Sequence, residues 1–390
     1  MNRGSSGAMG IAFGGLIALA AAMGIGRFVY TPILPFMADG LGLTKAESGL
    51  IASANYLGYF LGALAAAATR LPGGRRGWFF AAVAVSGLTT GLMGAVSSMA
   101  PSLLLRFAGG VASAFVMVLA SGLVLDRLAA EKRPGLSAVH FAGVGGGIAV
   151  SALLVSLLAA AGYGWRMHWL AGGALSIAAL GAVVRLVPSE GPPPPIIQRE
   201  RRGNGIDRRL TTLIAAYGLF GFGYVITATF ISTIVRTAPA IQSIEPVIWL
   251  VVGLAAIPSV ALWTWVGRRL GNGVSFAIAC VLEGLGVAMS VLAATAPAII
   301  LSAALLGGTF VGLTAVGLIH ARALSPGNPH RSVAFMTAAF GLGQMIGPAF
   351  AGYGFDLTGS FLLPSLTAAG ALFVSALMVF EMPKRLRAPS

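Results

Sequence analysis

Charged residues are scarce in this chain. Asp, Glu, Lys and Arg make up 9% of its 390 residues, whereas 57% of the residues are hydrophobic. A water-soluble domain carries roughly a quarter charged residues, so water is not the main solvent of this protein. The chain also has a single cysteine, Cys280, which excludes an intramolecular disulfide and a cysteine metal cluster. The composition therefore predicts a bundle of membrane helices.

Common enzyme signatures are missing as well. The sequence contains no G-x-x-x-x-G-K-[ST] phosphate loop, no H-E-x-x-H zinc helix and no G-x-S-x-G nucleophile elbow. We therefore expect no catalytic residue, no cofactor and no metal site. Without an ATP site, any transport has to be passive or driven by a gradient.

The basic residues that are present do not indicate a nucleic-acid binder, although the formal net charge is +14. A basic balance is the usual electrostatic footprint of a protein that binds phosphates. Here the Lys and Arg residues lie in short segments between apolar runs, as they do in the cytoplasmic loops of membrane proteins. Membrane topology accounts for the charge.

Long apolar runs recur between charged or Gly- and Pro-rich breaks. A bilayer core of roughly 30 Å needs about 20 apolar residues per helix, so each run is long enough to span a membrane. The first run follows Arg3 and is longer than the apolar region of a cleavable signal, which predicts a membrane helix. The twelve predicted spans are residues 8 to 37, 47 to 69, 78 to 98, 100 to 125, 136 to 161, 167 to 187, 210 to 236, 246 to 266, 274 to 295, 297 to 321, 332 to 356 and 360 to 381.

Lys and Arg residues outside these spans fall almost entirely on one side of the predicted membrane. An even number of spans puts both termini on the same side, and only Lys45, Arg166 and Arg236 fall on the other side. Because cytoplasmic loops are enriched in Lys and Arg, the pattern predicts a multi-pass protein with both termini in the cytoplasm.

The longest polar break separates the sixth and seventh spans. Residues 188 to 209 contain four consecutive prolines, at 192 to 195, and then a mixed charge run, which is typical of a semi-rigid, solvated linker. The linker divides the chain into an N-terminal half, residues 1 to 187, and a C-terminal half, residues 210 to 390. Such halves are commonly repeats in transporters.

Short glycine motifs recur in the two halves. Residues 24 to 26 (GIG) in helix 1 match residues 221 to 223 (GFG) in helix 7, and residues 143 to 145 (GVG) in helix 5 match residues 341 to 343 (GLG) in helix 11. Glycines four residues apart form flat faces for close helix contact. The pairs with this spacing are Gly58 with Gly62, Gly143 with Gly147, Gly308 with Gly312, and Gly343 with Gly347.

Four segments carry a resemblance to a known family. They are GIGRFVYTPILPFM at 24 to 37, NYLGY at 55 to 59, HFAGVG at 140 to 145 and GLGQMIGP at 341 to 348. Together with the two six-helix halves, they make the chain similar to the YbfB/YjiJ-like branch of the major facilitator superfamily. The resemblance implies an alternating-access transporter of a bacterial inner membrane, with helices 1, 4, 7 and 10 around a central cavity. It does not imply a substrate.

The chain also departs from the superfamily pattern. The usual signature after helix 2 includes an aspartate, but only Ala, Leu and Thr occur between Gly62 and Arg70. The gating salt bridge of the superfamily is therefore not implied here. Arg106 followed by Gly110 in helix 4 does resemble a superfamily motif that is linked to proton coupling.

Two arginines lie inside predicted spans, Arg27 in helix 1 and Arg106 in helix 4. Charge inside a membrane helix costs about 2.5–3.5 kcal/mol on insertion scales, so each arginine needs a partner, a water-filled cavity or a function. No carboxylate occurs in the cores of helices 1, 2, 4, 5, 7, 8 and 10. An anionic substrate is the predicted counter-ion, because the guanidinium fork suits carboxylate, phosphate or sulfonate. As structural alternatives, Arg27 bonds to backbone carbonyls freed near Pro32 and Pro35, and Arg106 extends to the outer surface.

Three titratable side chains are candidates for proton coupling. Glu283 lies in the middle of helix 9, where a carboxyl group can carry a proton; the alternative is a neutral or helix-bonded structural glutamate. His140 lies one turn inside helix 5, and Asp356 lies at the end of helix 11. For both, an ordinary residue near a helix end is the alternative to a proton relay.

Polar side chains along the presumed cavity helices are either substrate contacts or hydrogen-bonding links between helices. Tyr224 stands at the repeat position of Arg27, and Gln344 lies one residue past the GLG motif of helix 11, so these two rank first. The other candidates for substrate binding are Asn55, Tyr56 and Tyr59 in helix 2 and Tyr217 in helix 7.

The sequence thus predicts an all-α, twelve-span membrane protein with the major facilitator fold. We expect a monomeric transporter that moves a small organic anion by alternating access, coupled to protons, with Arg27 as the main anion contact and Arg106 assisting. One alternative is a proton-driven exporter of drugs or metabolites that uses the aromatic residues. The other is a non-transporting membrane sensor. The expected partners are a small-molecule substrate, protons and the lipid bilayer, with no nucleic acid.

Overall fold

Every regular element in the described part of the chain is helical. The computed structural model describes residues 3–68, 71–187, 207–293, 295–325 and 329–380, and no strand occurs among them. The α-helices are α1 (Arg3–Leu19), α2 (Tyr30–Leu41), α3 (Lys45–Ala68), α4 (Arg75–Leu92), α5 (Met99–Ala120), α6 (Asp126–Ala130), α7 (Ser137–Ala160), α8 (Trp165–Leu186), α9 (Arg208–Arg236), α10 (Glu245–Ala256), α11 (Ser259–Leu270), α12 (Asn272–Leu292), α13 (Ala296–Leu324), α14 (Pro329–Thr358) and α15 (Leu362–Phe380).

The helices provide the predicted number of membrane spans. Eleven stretches are each long and apolar enough to cross a bilayer, and α10 and α11 form a twelfth span that is bent by 44°. The bend falls at Ile257 and Pro258. Because proline has no backbone N–H, the helical hydrogen-bond ladder is interrupted there. The prediction of an all-α protein with twelve spans is confirmed.

Short connections join most successive spans. Because short connections place consecutive helices antiparallel, successive spans cross the membrane in opposite directions. The predicted linker lies largely in residues 188–206, outside the described residues. We call the face of the bundle where α8 ends and α9 begins the linker side, and the opposite face the far side. Both α1 and α9 begin on the linker side.

Glycines allow the helices to pack backbone against backbone. A Cβ atom at Gly24 would lie 2.4 Å from the Cα of Gly147, and one at Gly343 would lie 2.2 Å from the carbonyl oxygen of Gly218. No side chain fits at either place, so Gly147 and Gly343 have the predicted packing role, and Gly24 packs in the same way. Gly308 differs, because a Cβ there would meet nothing within 4 Å. The helices are nevertheless close at Gly308, because its carbonyl oxygen accepts from Ser259 Oγ at 3.0 Å and from Trp263 Nε1 at 2.7 Å. The contact there does not require a glycine.

The first span is interrupted, whereas the sequence predicts one helix over residues 8 to 37. The chain passes from α1 through a π-helical turn at Ala20–Ile25, leaves the helix over residues 26–29 and resumes as α2 at Tyr30. Single π-helical turns inside α-helices occur frequently at functional sites.

Pro32 provides a local cause for the interruption. It has no N–H to donate to the carbonyl oxygen of Phe28, and the N–H of Thr31 donates to that oxygen instead, at 3.3 Å. In a regular helix the N–H of Thr31 would donate to the carbonyl oxygen of Arg27. The Arg27 carbonyl is therefore free to accept a hydrogen bond from another part of the protein.

The N-terminal and C-terminal spans meet closely on the far side. Arg236 at the end of α9 pairs with Asp39 at the end of α2, with 3.3 Å between Nη2 and Oδ2. Thr31 Oγ1 donates to the carbonyl oxygen of Ala228 at 2.6 Å. The two longest described stretches that are buried at every residue are 21–35 and 223–235. In this structure the far side is closed.

Candidate substrate site

Arg27 lies at the interruption of the first span, in the interior between the two sets of helices. Its side chain is 3% exposed, and its Nη2 donates to Oε1 of Gln344, on α14, at 2.8 Å. Nε2 of Gln344 in turn donates to the hydroxyl of Tyr224, on α9. We call Arg27, Gln344 and Tyr224 the Arg27 bridge. It joins three of the predicted site residues and links the N-terminal spans to the C-terminal ones.

Aromatic rings surround the guanidinium of Arg27. Its Cζ lies 4.1 Å from the ring centre of Tyr59, 4.6 Å from that of Tyr56 and 5.5 Å from that of Phe28. A desolvated cation–π contact contributes about 2 kcal/mol, so the rings offset part of the cost of burying the charge without neutralising it. The structure thus places both predicted tyrosines of α3 at the site.

The other end of the bridge lies in an aromatic stack. The ring of Tyr224 is parallel to those of Phe310 and Phe340, with ring centres 5.5 Å and 5.8 Å away and interplanar angles of 8° and 5°. Phe28 meets Phe310 edge-on at 5.8 Å. Sequence reasoning missed these phenylalanines, because an aromatic residue in an apolar span has no pattern that separates a site wall from ordinary packing.

Arg106 has partners of a different kind. Its Nη1 and Nη2 donate to the carbonyl oxygens of Gly26 and Arg27, each at 3.1 Å. Its guanidinium also lies 5.0 Å from the ring centre of Tyr30 and 5.8 Å from that of Trp169. Arg106 is 4% exposed and does not extend to the surface. Bonding to freed backbone carbonyls was considered for Arg27, but it is Arg106 that makes such bonds. Arg106 thereby stabilises the interruption of the first span.

Asn55 and Tyr217 make hydrogen bonds between helices. Nδ2 of Asn55, on α3, donates to the carbonyl oxygen of Arg106 at 2.8 Å. The hydroxyl of Tyr217, on α9, donates to the carbonyl oxygen of Thr314, on α13, at 3.1 Å. Asn55 therefore bonds to Arg106, which in turn bonds to Arg27. Tyr217 lies two helical turns from Tyr224 along α9.

Among the described residues, no acidic side chain forms an ion pair with Arg27 or Arg106. The ion pairs among them join Arg127 to Glu131 at 3.4 Å and Arg236 to Asp39 at 3.3 Å, and neither involves the Arg27 bridge. Nε of Arg27 has no hydrogen-bond partner in the described part of the chain. Because a guanidinium carries five N–H donors, Arg27 keeps capacity to bind an anion.

Glu283 is fully buried in α12, which packs against α9 and α13. Within the described ranges neither carboxyl oxygen has a partner at hydrogen-bonding geometry. Thr309 lies against the carboxyl group, but its hydroxyl donates to the carbonyl oxygen of Leu305 at 2.7 Å. The structure therefore does not show the helix-bonded glutamate that was one alternative.

His140 is buried at the linker side, in the first turn of α7. It is 1% exposed, and its Nδ1 has no partner among the described residues. A Cβ atom at Gly15 would lie 2.2 Å from this nitrogen, so the imidazole packs directly against the backbone of α1. This contact lies twelve residues before Arg27, and the histidine does not join the Arg27 bridge.

Asp356 binds the start of another helix. Its Oδ1 accepts from the backbone N–H of Lys45 at 3.1 Å, and its Oδ2 accepts from that of Ala46 at 2.9 Å. The next N–H, of Glu47, donates to Thr44 Oγ1, and the N–H of Thr44 donates to Oε2 of Glu47. The T-x-x-E pattern is a capping box that marks the start of α3. Asp356 thus completes the cap from the opposite half of the protein, a contact that sequence reasoning missed.

Solved structures share this architecture. The nucleoside transporter NupG is 16% identical, with a TM-score of 0.69 over 96% of this chain and 98% of NupG. A bacterial homologue of the human lysosomal transporter Spinster, in an inward-facing and occupied conformation, is 15% identical, with a TM-score of 0.69 over 94% of this chain and 95% of that one. At such identities the likeness shows the fold, which is that of a major facilitator transporter.

The sequence comparison narrows the class to one family. The chain belongs to the family described as uncharacterised MFS-type transporter YbfB, whose sequence pattern matches residues 19–380. Among the curated proteins, none matches the chain significantly. The predicted superfamily and branch are confirmed, and the protein is a transporter rather than an enzyme.

Proposed function

We propose that this transporter moves a small organic anion across the membrane by alternating access, with Arg27 as the direct anion contact. The observation that carries the proposal is the Arg27 guanidinium itself. It is buried between the two halves, has no acidic partner among the described residues and retains an unbonded Nε. A buried cation without a counter-charge is costly, and an anionic substrate would supply that charge.

The partners of Arg27 fit this role. Gln344 fixes one edge of the guanidinium, and the rings of Tyr56 and Tyr59 hold it without neutralising its charge. The Arg27 bridge spans the two halves, so a ligand that competes for Arg27 would release a contact between them. Binding would then alter the balance between two arrangements of the protein, as alternating access requires.

Arg106 supports the site indirectly in this proposal. Both of its terminal nitrogens donate to backbone carbonyls of residues 26 and 27. It therefore orients the segment that carries Arg27 and adds positive charge, while Arg27 makes the contact with the anion. Coupling to protons belongs to the same proposal. Without an ATP-binding motif, accumulation of the anion would have to be driven by a gradient, and we propose that this is the proton gradient.

We further propose that the protein is a monomer in the inner membrane of a bacterial cell. The charge pattern of the loops supports an orientation in which the linker side faces the cytoplasm. Arg75, Arg76, Arg268 and Arg269 all lie on the linker side. Lys and Arg are enriched in the cytoplasmic loops of membrane proteins. In that orientation the closed far side faces away from the cytoplasm.

The test is thermal stabilisation of the purified protein by a panel of organic carboxylates, sulfonates, phosphates, nucleosides and lipophilic cations. A ligand at a hundred times its Kd stabilises the folded state by about 2.7 kcal/mol. We expect an anion to stabilise the wild-type protein, and the effect to vanish in Arg27→Ala and weaken in Arg27→Lys, which keeps the charge but loses the fork.

The matched control is Arg166→Ala. Arg166 donates to the carbonyl oxygen of Gly94 at 3.0 Å and to Ser97 Oγ at 2.6 Å, away from the Arg27 bridge. This variant should retain the anion effect. If no anion stabilises the wild type, or if the anion stabilises Arg27→Ala equally, the proposal fails.

A second candidate is a proton-driven exporter of drugs or metabolites. The parallel stack of Tyr224 with Phe310 and Phe340 favours it, because flat aromatic ligands bind to such walls. NupG is named a nucleoside transporter, which is why nucleosides belong in the panel. Stabilisation by lipophilic cations or neutral ring compounds alone would replace the anion proposal with this one.

A further inference from the structure

Glu283 is a buried carboxyl group for which the structure provides no obvious structural task. It is 0% exposed, and its oxygens have no hydrogen-bond partner in the described part of the chain. Leaving a buried polar group unsatisfied costs about 1–3 kcal/mol, and leaving a buried charge unpaired costs more. A leucine or methionine would avoid this cost. The acidity of the residue therefore calls for an explanation.

The neighbouring hydroxyl can serve both forms of the carboxyl group. Thr309 lies against Glu283, and its hydroxyl also lies 2.7 Å from the carbonyl oxygen of Leu305. While the hydroxyl donates to Leu305, Thr309 Oγ1 can accept a hydrogen bond from a protonated Glu283. When the hydroxyl turns to the carboxyl group, it can donate to an ionised Glu283. A group that binds and releases a proton needs a site that accepts both forms.

No cation lies against Glu283 among the described residues. The helix α12 packs against α9, α11, α13 and α15. Tyr224 on α9 interacts electrostatically with the carboxyl group, and α15 carries no titratable side chain. His320 on α13 lies against Gly273 at the start of α12, roughly 15 Å along the helix from Glu283. The other titratable groups on these helices are Cys280, Tyr217, Arg208, Arg209, Arg236, Arg268, Arg269 and Arg322.

Most of these other groups cannot neutralise Glu283. Cys280 lies one turn away on α12 and is a buried, uncharged thiol. The arginines lie at the ends of α9, α11 and α13 rather than in their middles. The charged groups that share the interior with Glu283 are therefore Arg27 and Arg106. Tyr224 interacts electrostatically with both Glu283 and Arg27.

We propose that Glu283 carries the proton that accompanies the anion, which makes the protein an anion–proton symporter. The proposal rests on the proposed function. With Glu283 protonated, Arg27 and Arg106 give the interior two positive charges and an anion binds well. With Glu283 ionised, its negative charge opposes the anion. Since coupling between two sites is reciprocal, a bound anion also favours protonation of Glu283.

The proton balance is simple. A proton from water on one side of the membrane joins the Glu283 carboxylate to give a neutral carboxylic acid, and the same proton leaves to water on the other side. No bond in the substrate changes. One proton moves with each anion, so a monovalent anion would be carried without net charge.

The first test detects the proton on Glu283 and needs no substrate. Infrared spectra of the purified protein in lipid nanodiscs are recorded across a pH series for wild type, Glu283→Gln and Glu131→Gln. Glu131 is the matched control, because it is a partly exposed carboxyl group paired with Arg127. We expect a carboxylic-acid band that disappears at high pH, that is missing in Glu283→Gln and that persists in Glu131→Gln.

The second test follows coupled flux in proteoliposomes with benzenesulfonate, which stays ionised at all working pH values. Wild-type protein should accumulate it when the outside is acidic, with an apparent KM that rises about tenfold per pH unit once Glu283 ionises. Glu283→Gln imitates the protonated form. It should exchange benzenesulfonate across the membrane with a KM that does not depend on pH, but should not accumulate it.

The outcomes distinguish a failure of the Glu283 proposal from a failure of the proposed anion transport. The absence of the infrared band, its survival in Glu283→Gln, or acid-driven accumulation by Glu283→Gln would overturn the role of Glu283 and leave anion transport standing. A Glu283 band in a protein that neither binds nor moves any anion of the panel would overturn the anion function, and the symport with it.

Discussion

Arg27 and Arg106 are both almost fully buried, yet they bond to different kinds of partner. Arg27 donates to the side chain of Gln344, which can rotate away, whereas Arg106 donates to two backbone carbonyls that are fixed by the chain. A side-chain partner can be exchanged for a ligand at low cost. At the scale of the residue, this difference supports our proposal that Arg27 contacts the substrate and that Arg106 positions the segment carrying it.

Arg106→Lys should destabilise the protein although it preserves the charge. The lysine side chain is shorter and ends in a single ammonium group. It cannot reproduce the guanidinium fork that donates to the carbonyl oxygens of both Gly26 and Arg27. Leaving one of them unsatisfied costs about 1–3 kcal/mol, which thermal unfolding in detergent will measure. Anion binding to Arg106→Lys should weaken as well, because the segment that carries Arg27 loses the hydrogen bonds that position it. An unchanged melting temperature and unchanged anion affinity would rule out the positioning role.

At the scale of the element, the interruption of the first span creates the site. The carbonyl of Arg27 loses its helical donor because the N–H of Thr31 turns to Phe28, beside Pro32. Arg106 on α5 then binds that carbonyl. The prolines are visible in the sequence and predict a weakened helix, but the arginine that binds the freed carbonyl comes from 79 residues further along the chain.

The contact between α9 and α14 gives a prediction about glycine. A Cβ at Gly343 would lie 2.2 Å from the carbonyl oxygen of Gly218, so Gly343→Ala has to push the two helices apart. Overpacking of this kind costs about 1–3 kcal/mol. We expect a lower melting temperature and a weaker hydrogen bond between Arg27 and Gln344, which is one residue away.

Gly308→Ala is the matched control, because a methyl group there meets nothing within 4 Å. It should leave stability and transport unchanged or slightly improve stability, as alanine does in helices. If Gly343→Ala and Gly308→Ala have the same melting temperature, the backbone contact between α9 and α14 does not contribute to the stability of the fold.

At the scale of the whole molecule, polar contacts on the far side hold the two halves together. Asp356 caps the start of α3, and Asp39 pairs with Arg236. A carboxylate at a helix N-terminus is stabilised by the helix dipole as well as by its hydrogen bonds. Both contacts join helices from different halves, so they favour the arrangement that is closed on the far side.

Asp356→Asn should therefore open the far side more often. A loss of about 1 kcal/mol in the closed arrangement raises the open population about fivefold. Ala228→Cys, in a Cys280→Ser background, reports on opening, because Ala228 is buried against α2. Its reaction with a maleimide applied from the far side should accelerate. Glu47→Gln is the control, since Glu47 caps α3 from within the same half; equal acceleration there would refute the cross-half role of Asp356.

The sequence predicted most of the fold and part of the site. The spans follow from local hydrophobicity, which needs no knowledge of neighbours, and Arg27, Tyr224 and Gln344 were predicted as site residues because polar groups are rare in such spans. Their joining in one bridge depends on residues 317 positions apart. Hydrophobic periodicity contains no information about such pairings. For the same reason the cap on α3 by Asp356 could not be predicted.

The most direct test of the central claim is uptake of the best stabilising anion into proteoliposomes by wild-type protein and by Arg27→Lys. Replacing the guanidinium fork by an ammonium should remove at least one charge-assisted hydrogen bond to the anion, about 1.5–3 kcal/mol. We predict saturable uptake by the wild type and a loss of roughly tenfold or more in kcat/KM for Arg27→Lys. Uptake by Arg27→Lys and Arg27→Ala at the wild-type rate would contradict the account.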